Sequence, residues 1–388
     1  MALVLFDSEH YEDLLPLVFT RPVGDLRVGI QKLVEKWRAF TDETVVYQTR
    51  DYLQHKYGAP GEGEHLYVYG GLCPDDHIHE QIQHLKKGEA LQWQGRLLAV
   101  RCESDEFSEP DVLNNSREYS GEPRLIRQVY DLFRHNAEEL ARDFKRITQG
   151  RRSAPLSATN TLIGDKIFVE EGAEIEASVL NCLDAPIYIG KNAKILEGCL
   201  IRNGLALNEH ATLKMGAKIY GATTVGPHCK VGGEVNNCVF HGFSNKGHDG
   251  FLGNSVIGEW CNIGADSNNS NLKNNYDEIK IWNYRRGGFA KTGLQFCGLI
   301  MGDHSKCGIN TMFNTGTVVG VSANVYGSGF PRNFIPSFSW GGAAGFTEYR
   351  FEKAMETAGR MMSRRSVALD EPERDILRYV FDKTADYR

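Results

Sequence analysis

From Ile189 onward a branched aliphatic residue recurs at every sixth position: Ile195, Ile201, Leu207, Leu213, Ile219, Val225 and Val231. An α-helix repeats its apolar face every three or four residues and a strand every two, so this period fits neither. It fits a solenoid whose coil has three short flat faces, each sending one aliphatic inward. Glycine follows several of these positions (Gly190, Gly226, Gly232) and eases the corner. The pattern appears upstream at Ile163, Val169 and Ile175. It returns downstream at Ile257, Ile263, Met301, Cys307, Phe313, Val319 and Val325. The expected fold of this part is a left-handed parallel β-helix, wound against the usual crossover rule.

The chain has 388 residues, too many for one ordinary core. Residues 1–152 read as an α/β domain. Apolar β-formers run from Leu3 to Phe6, Thr44 to Tyr47, Leu66 to Tyr69 and Leu97 to Val100. Helical spacing places Ile30, Leu33, Val34 and Trp37 on one face, and Ile78, Ile82 and Leu85 on another. A longer amphipathic helix is expected over Arg124 to Ile147. Strands alternating with helices argue for a mainly parallel sheet. Residues 153–340 form the β-helix unit and residues 341–388 a helical extension, with helices near Glu348 to Arg365 and Pro372 to Lys383. These are expected to pack on the β-helix flank or on a neighbouring subunit. The repeat breaks most at Val235–Ser255 and Asp266–Leu299, where loops are expected to leave the prism.

A net charge of -6 points away from a nucleic-acid or membrane surface. No apolar run is long enough to span a bilayer, and the N-terminus enters directly as a strand with no signal peptide, so a cytoplasmic protein is expected. The nine cysteines lack paired CxxC spacing and read as buried, reduced thiols.

The residue pattern that points to chemistry lies between Asn245 and Tyr276. His248 stands there among amides and glycines, and an imidazole can take a proton near neutral pH. It can equally tie its loop by hydrogen bonds. Arg202, Lys214, Lys218 and Lys230 fall on successive coils, and a stack of cations suits a phosphate or pyrophosphate; a solvated face is the alternative. Three histidines, His228, His241 and His248, are the candidates for a zinc site, and their spacing does not favour one. In the first domain Thr20, Arg21 and Arg27 are candidates to meet a nucleoside triphosphate, although neither a Walker loop nor GxGxxG is present.

The stretch SNKGHDGFLGNSVIGEWCNIGAD…NNYDEIK resembles the acetyltransferase domain of the GlmU family. That family acetylates glucosamine-1-phosphate and couples the product to UTP. The matching residues are His248, Phe251, Asn262 to Ala265 and Asn275 to Asp277. The resemblance implies that His248 is the general base toward the sugar amine. It implies that Lys214, Lys218, Asn236, Phe251, Asn262, Asn275, Tyr276 and Lys280 bind substrate, and that acetyl-CoA is the co-substrate. The first domain, with LLPLVFTRPVGDLRVGI and LYVYGGLCP, is similar to sugar-1-phosphate nucleotidyltransferase domains. This implies nucleotide binding by Thr20, Arg21 and Arg27, with Mg2+ if that activity is present. The whole chain resembles an alternative bacterial GlmU-like family, which implies a homotrimer acting on a sugar phosphate and a nucleoside triphosphate in sugar-nucleotide (UDP-N-acetylglucosamine) biosynthesis for the cell envelope.

Several positions depart from that pattern. Of the usual nucleotidyltransferase opening L-A-A-G-x-G-T-R, only Thr20-Arg21 remains. Gly70-Gly71 stands where Gly-Asp binds the metal, leaving Asp75 or Asp76 as substitutes. Phe251 replaces a tyrosine and Asn236 a lysine. Two other readings therefore stand beside the bifunctional one. One is a nucleotidyltransferase with the β-helix as scaffold. The other is a non-catalytic trimeric protein that binds a sugar nucleotide.

Overall fold

The computed structural model describes residues 1–113 and 116–388. Its helices are α1 (Leu33–Arg38), α2 (Asp51–Tyr57), α3 (Asp76–Gln83), α4 (Glu109–Leu113), α5 (Asp131–Thr148), α6 (Phe351–Ser363) and α7 (Glu371–Lys383). In the first domain Leu3–Phe6 pairs in parallel with Val45–Gln48 and with Glu64–Tyr69. The expected mainly parallel character is broken by one strand and resumes at the far edge, where Ala90–Trp93 pairs in parallel with Arg117–Glu118. Arg96–Glu103 runs antiparallel to Glu64–Tyr69 and to Ala90–Trp93. The cause is a tight turn at Gln94-Gly95, whose φ values of 51° and 75° make it a hairpin that reverses the chain.

Two helix expectations shift for local reasons. Ile30 lies outside α1, because Arg27–Val28 and Gln31–Lys32 form an antiparallel ribbon turning at Gly29. Helix α5 begins at Asp131 because Ile126 donates its N–H to Gly71 and Arg124 accepts from Cys73, so this stretch is extended and bridges the segment after Glu64–Tyr69 instead. Lys36 of α1 is fully buried between Glu139 (2.8 Å) and Asp143 (2.6 Å) of α5, which fastens the two helices together.

The hexapeptide reading holds. Strands from Thr161–Ile163 onward build a parallel β-solenoid of three sheets, with Ile163 the exception to the inward reading, since it aligns with Asn181 rather than with inward Leu180 and is exposed. The inward positions Ile189, Ile195, Ile201, Leu207, Leu213, Ile219, Val225 and Val231 are at most 1% exposed. The corners are turned largely by residues at positive φ, among them His210, His228, Phe243, Trp260 and His304. Their rings stack from coil to coil, with centroids 4.9, 4.7, 4.2 and 6.4 Å apart.

The two register breaks have different outcomes. At Val235–Ser255 no loop leaves the prism. The coil is shortened instead, so that Val225 pairs with Phe240 and Phe240 with Ile257. At Asp266–Leu299 the chain does leave, from Ser270 to Gly298, and forms the hairpin Lys280–Asn283/Gly288–Lys291 before Ile257 finds its register partner Met301. That hairpin braces the first domain: Asn283 donates to Asp13 at 2.8 Å.

Each solenoid face has its own use. The face carrying Val239, Val256, Ile300 and Val318 outward is covered by the first domain, and these residues join its hydrophobic core. We term it the domain face. A second face, with Lys230, Asn245, Asn262 and Lys306 outward, runs beneath α6 and is termed the groove face. The third, with Leu200, Lys218, Glu234 and Phe251 outward, is the open face.

The contact between domain and solenoid is charged at its centre. The side chain of Arg21 is buried and bridges Glu259 at 3.0 Å and Asp303. Thr20 donates its hydroxyl to Asp303 at 2.6 Å. Arg27 is buried, with its guanidinium on the Ile30 carbonyl and 3.4 Å from Asn208. Burial works to raise the Glu259 carboxyl, but Arg21 and Lys32 hold it well below the ordinary carboxylate range. His241, against the same cluster, is pushed well below its usual value by burial and by Arg21.

The structure thus places Thr20, Arg21 and Arg27, the residues expected to meet a triphosphate, at the buried contact with the solenoid, where Thr20 and Arg21 engage Asp303 and Glu259 and Arg27 engages the Ile30 carbonyl of its own domain. Replacing Arg21 with Met strands the buried Asp303 carboxylate and the half-buried Glu259. Arg21→Met should therefore lower unfolding stability by about 3–5 kcal/mol in urea titrations. A loss below about 1 kcal/mol would show that the pair does not hold the domains together.

Candidate active site

Between the groove face and α6 lies a groove of about 830 Å3. The solenoid contributes Lys214, Lys230, Asn245, His248, Asn262 and Lys306, and α6 with the turn after it contributes Arg360, Met361, Arg364 and Arg365. Among the described residues, six cations line it and no carboxylate does. Lys230 is depressed below its ordinary value, first by Arg365 and then by partial burial, Lys214 and Arg364. Burial pushes Lys306 down to about 8. Arg365 reaches across the groove to the Asn245 side-chain oxygen at 3.2 Å.

His248 is exposed in the turn between Asn245–Lys246 and Phe251–Gly253. It stands where the groove meets an adjoining hollow of about 560 Å3, which Asp249 and Asp266 line together with Gly232 and Gly233. The turn is packed tightly: a Cβ on Gly233 would come within 2.8 Å of the His248 and Gly250 carbonyl oxygens. Beneath it is Lys246. Its position faces inward, in line with Val231 on the preceding coil, and the residue is 1% exposed. Its ammonium donates to the His248 carbonyl at 2.8 Å and to the Gly232 carbonyl at 3.2 Å. Burial pushes it down to about 8, although Asp249 acts the other way.

The structure gathers some of the expected residues and separates others. His248, Lys214 and Asn262 share the groove. Lys218 and Phe251 lie on the open face in one column with Glu234, and Asn236 lies in the next column with Tyr220 and Gly253. Arg202 also belongs to the open face, so the four stacked cations divide and only Lys214 and Lys230 meet. Asn275 and Tyr276 are exposed on the Ser270–Gly298 excursion, Asn275 donating to Asp277 at 2.5 Å. Lys280 lines a separate hollow with Lys273 and Trp282. The three candidate zinc histidines are in three places: His228 in the corner stack, His241 at the domain contact and His248 at the groove.

Sequence reasoning passed over two features. Lys246 was legible as a lysine on the inward hexapeptide register. The arginines of α6 carried only a weak signal, the i, i+4 spacing of Arg360 and Arg364.

The first domain does not fit the Mg2+ and triphosphate that its resemblance implies. A Cβ on Gly71 would lie 2.5 Å from the Ile126 carbonyl oxygen, so a carboxylate is not accommodated there. Asp75 is spent as the N-cap of α3, accepting from the Ile78 N–H at 2.9 Å, and lies 3.6 Å from Arg142. Gly24 presses against Gly70, which fills the space above the strand ends with the chain itself.

Residues 3–152 match the family model described as sugar nucleotidyl transferase, which is less than half of the chain. The class that this match defines for the first domain is a transferase. More particularly, the chain is 31% identical over 108 residues to the bifunctional protein GlmU of Trichodesmium erythraeum; this covers 27% of the chain and 22% of that protein. The chain thus spans about a fifth of the curated relative that it matches. Among solved structures it is similar to AntD, an N-acyltransferase from Bacillus cereus in complex with dTDP and 3-hydroxybutyryl-CoA. There the identity is 11%, the TM-score 0.23, and the coverage 53% of this chain and 91% of that one. It is also similar to LpxA, a UDP-N-acetylglucosamine acyltransferase from Bacteroides fragilis, at 12% identity and a TM-score of 0.20 over 58% of this chain and 96% of that one. Scores this low transfer no feature of those enzymes to this chain.

The buried lysine gives a pH signature. An unfolded lysine titrates near 10.4 and Lys246 titrates at about 8 in the fold. Between these values the unfolded chain binds more protons, so the penalty of the buried charge is complete below pH 8 and is relieved as pH rises. Relative to wild type, Lys246→Met should therefore lose on the order of 2–3 kcal/mol of stability between pH 7 and pH 10. Paired urea titrations at the two pH values check this, and a pH-independent difference would place the Lys246 ammonium in water.

Proposed function

We propose that the chain transfers an acetyl group from acetyl-CoA to the amine of an amino sugar 1-phosphate, in the groove beside His248. One observation carries this reading: His248 stands at the junction of a carboxylate-free cationic groove and a hollow bearing Asp249 and Asp266. The cations suit the phosphates of acetyl-CoA, and the carboxylates suit the acceptor's amino group. The amine nitrogen attacks the thioester carbonyl, and the imidazole of His248 takes the proton it sheds. Collapse of the tetrahedral intermediate breaks the C–S bond, and the proton passes to the leaving thiolate to give free CoA. Lys246 holds the backbone of the base by its bond to the His248 carbonyl.

The family match favours a second reading, nucleotidyl transfer to a sugar 1-phosphate by the first domain. That activity requires the Thr20–Lys32 segment to leave its buried contacts, and Mg2+ to find ligands where the strand-end carboxylate, Asp7, is already engaged by Arg50, Thr49 and the Val23 N–H. Assembly as a homotrimer in the cytoplasm belongs to the first reading, with Leu200 exposed on the open face as a contact.

The test is thiol release from acetyl-CoA against a panel of amino sugar 1-phosphates, with pyrophosphate release from nucleoside triphosphates followed in parallel. Sugar-dependent release of CoA is expected, falling by at least 100-fold in His248→Ala. Unchanged release in that variant would remove His248 as the base. Pyrophosphate release without CoA release would replace the first reading by the second.

A further inference from the structure

Resting on the acetyl-transfer reading, we infer that α6 is the second wall of the acyl-CoA site within the same chain. Arg360, Arg364 and Arg365 close on Lys230 to hold the 3′-phosphate and diphosphate of the nucleotide end. The observations that carry this are geometric. The apolar side of α6, with Phe351, Ala354 and Met355, is buried in the core shared with the first domain. The opposite side presents Arg360 and Arg364 one turn apart along the groove, with Arg365 just beyond. Cations at a helix C-terminus are compatible with its dipole. Arg360 has a distant partner in Glu356, at 3.8 Å on the same helix, whereas Arg364, Arg365 and Lys230 have no carboxylate partner among the described residues, so the cluster is left for an anion to compensate.

The helix is also held in place at a distance. Helix α7, next in the chain, is fixed to the first domain by Lys56 on Glu373 and by Tyr52 stacked on Tyr379 at 3.8 Å. The groove is thus walled by one chain: solenoid on one side, and on the other a helix that the first domain keeps in position. The nucleotide end of CoA carries a 3′-phosphate, which a sugar nucleotide lacks, and this separates the two sources of diphosphate.

The experiment is calorimetric titration of CoA, dephospho-CoA and UDP into wild type and into Arg360→Gln/Arg364→Gln/Arg365→Gln, with Arg202→Gln on the open face beside them. Wild type is expected to bind CoA at least tenfold more tightly than dephospho-CoA or UDP. The triple variant should lose at least tenfold for CoA and bind CoA and dephospho-CoA alike, whereas Arg202→Gln should bind CoA as wild type does. Equal binding of CoA and dephospho-CoA by wild type overturns the inference without any variant having to fold. Unchanged CoA affinity in the folded triple variant overturns it as well. In either case sugar-dependent thiol release by wild type leaves the acetyl-transfer reading standing, whereas absence of both CoA binding and thiol release ends both. Mixing the triple variant with His248→Ala checks the single-chain wall: no recovery of thiol release is expected, and recovery would place the arginines across a subunit boundary.

Discussion

Every coil of the solenoid has to bury one side chain per face, and the stack of those inward side chains is what the rest of the molecule hangs on. Ile189 to Val231 set a straight core in which each residue sits on its counterpart one coil away. A straight core makes flat faces, and flat faces accept neighbours. The domain face is covered because its outward residues Val239, Val256, Ile300 and Val318 are themselves apolar. The groove face stays solvated because its outward residues are lysine and asparagine. The division of labour among faces follows from the outward residue, once the inward one has fixed the register.

That logic explains what was legible in the sequence. Inward positions obey one rule, so the repeat could be read almost throughout. The shortened coil at Val225–Phe240 could not, since losing a few corner residues and extruding a loop both break the six-residue spacing. The ion pairs of Arg21 were not legible, because an arginine beside a threonine has the same composition whether it faces a phosphate or a carboxylate. The carboxylates that claim it, Glu259 and Asp303, lie more than two hundred residues away. The α6 arginines were missed for a related reason: a helix pattern shows which side is apolar, not which surface the polar side will face.

Lys246 illustrates a conflict between the repeat and the site it supports. At an inward position a lysine costs desolvation that an aliphatic does not. It persists beside the one exposed histidine of the groove, where its ammonium ties two carbonyls of the turn. The neighbouring glycines fit the same account, since Gly233 at φ 73° leaves no room for a side chain under that turn.

The excursion from Ser270 to Gly298 has one more consequence. It departs from one coil and rejoins the stack with Ile257 and Met301 in register, as though nothing had intervened. The prism therefore closes over the excursion without losing register. The excursion serves as a brace, with Asn283 and Arg285 gripping Asp13 of the first domain. A departure from the repeat is thus a joint between two architectures whose sheets stay separate among the described residues.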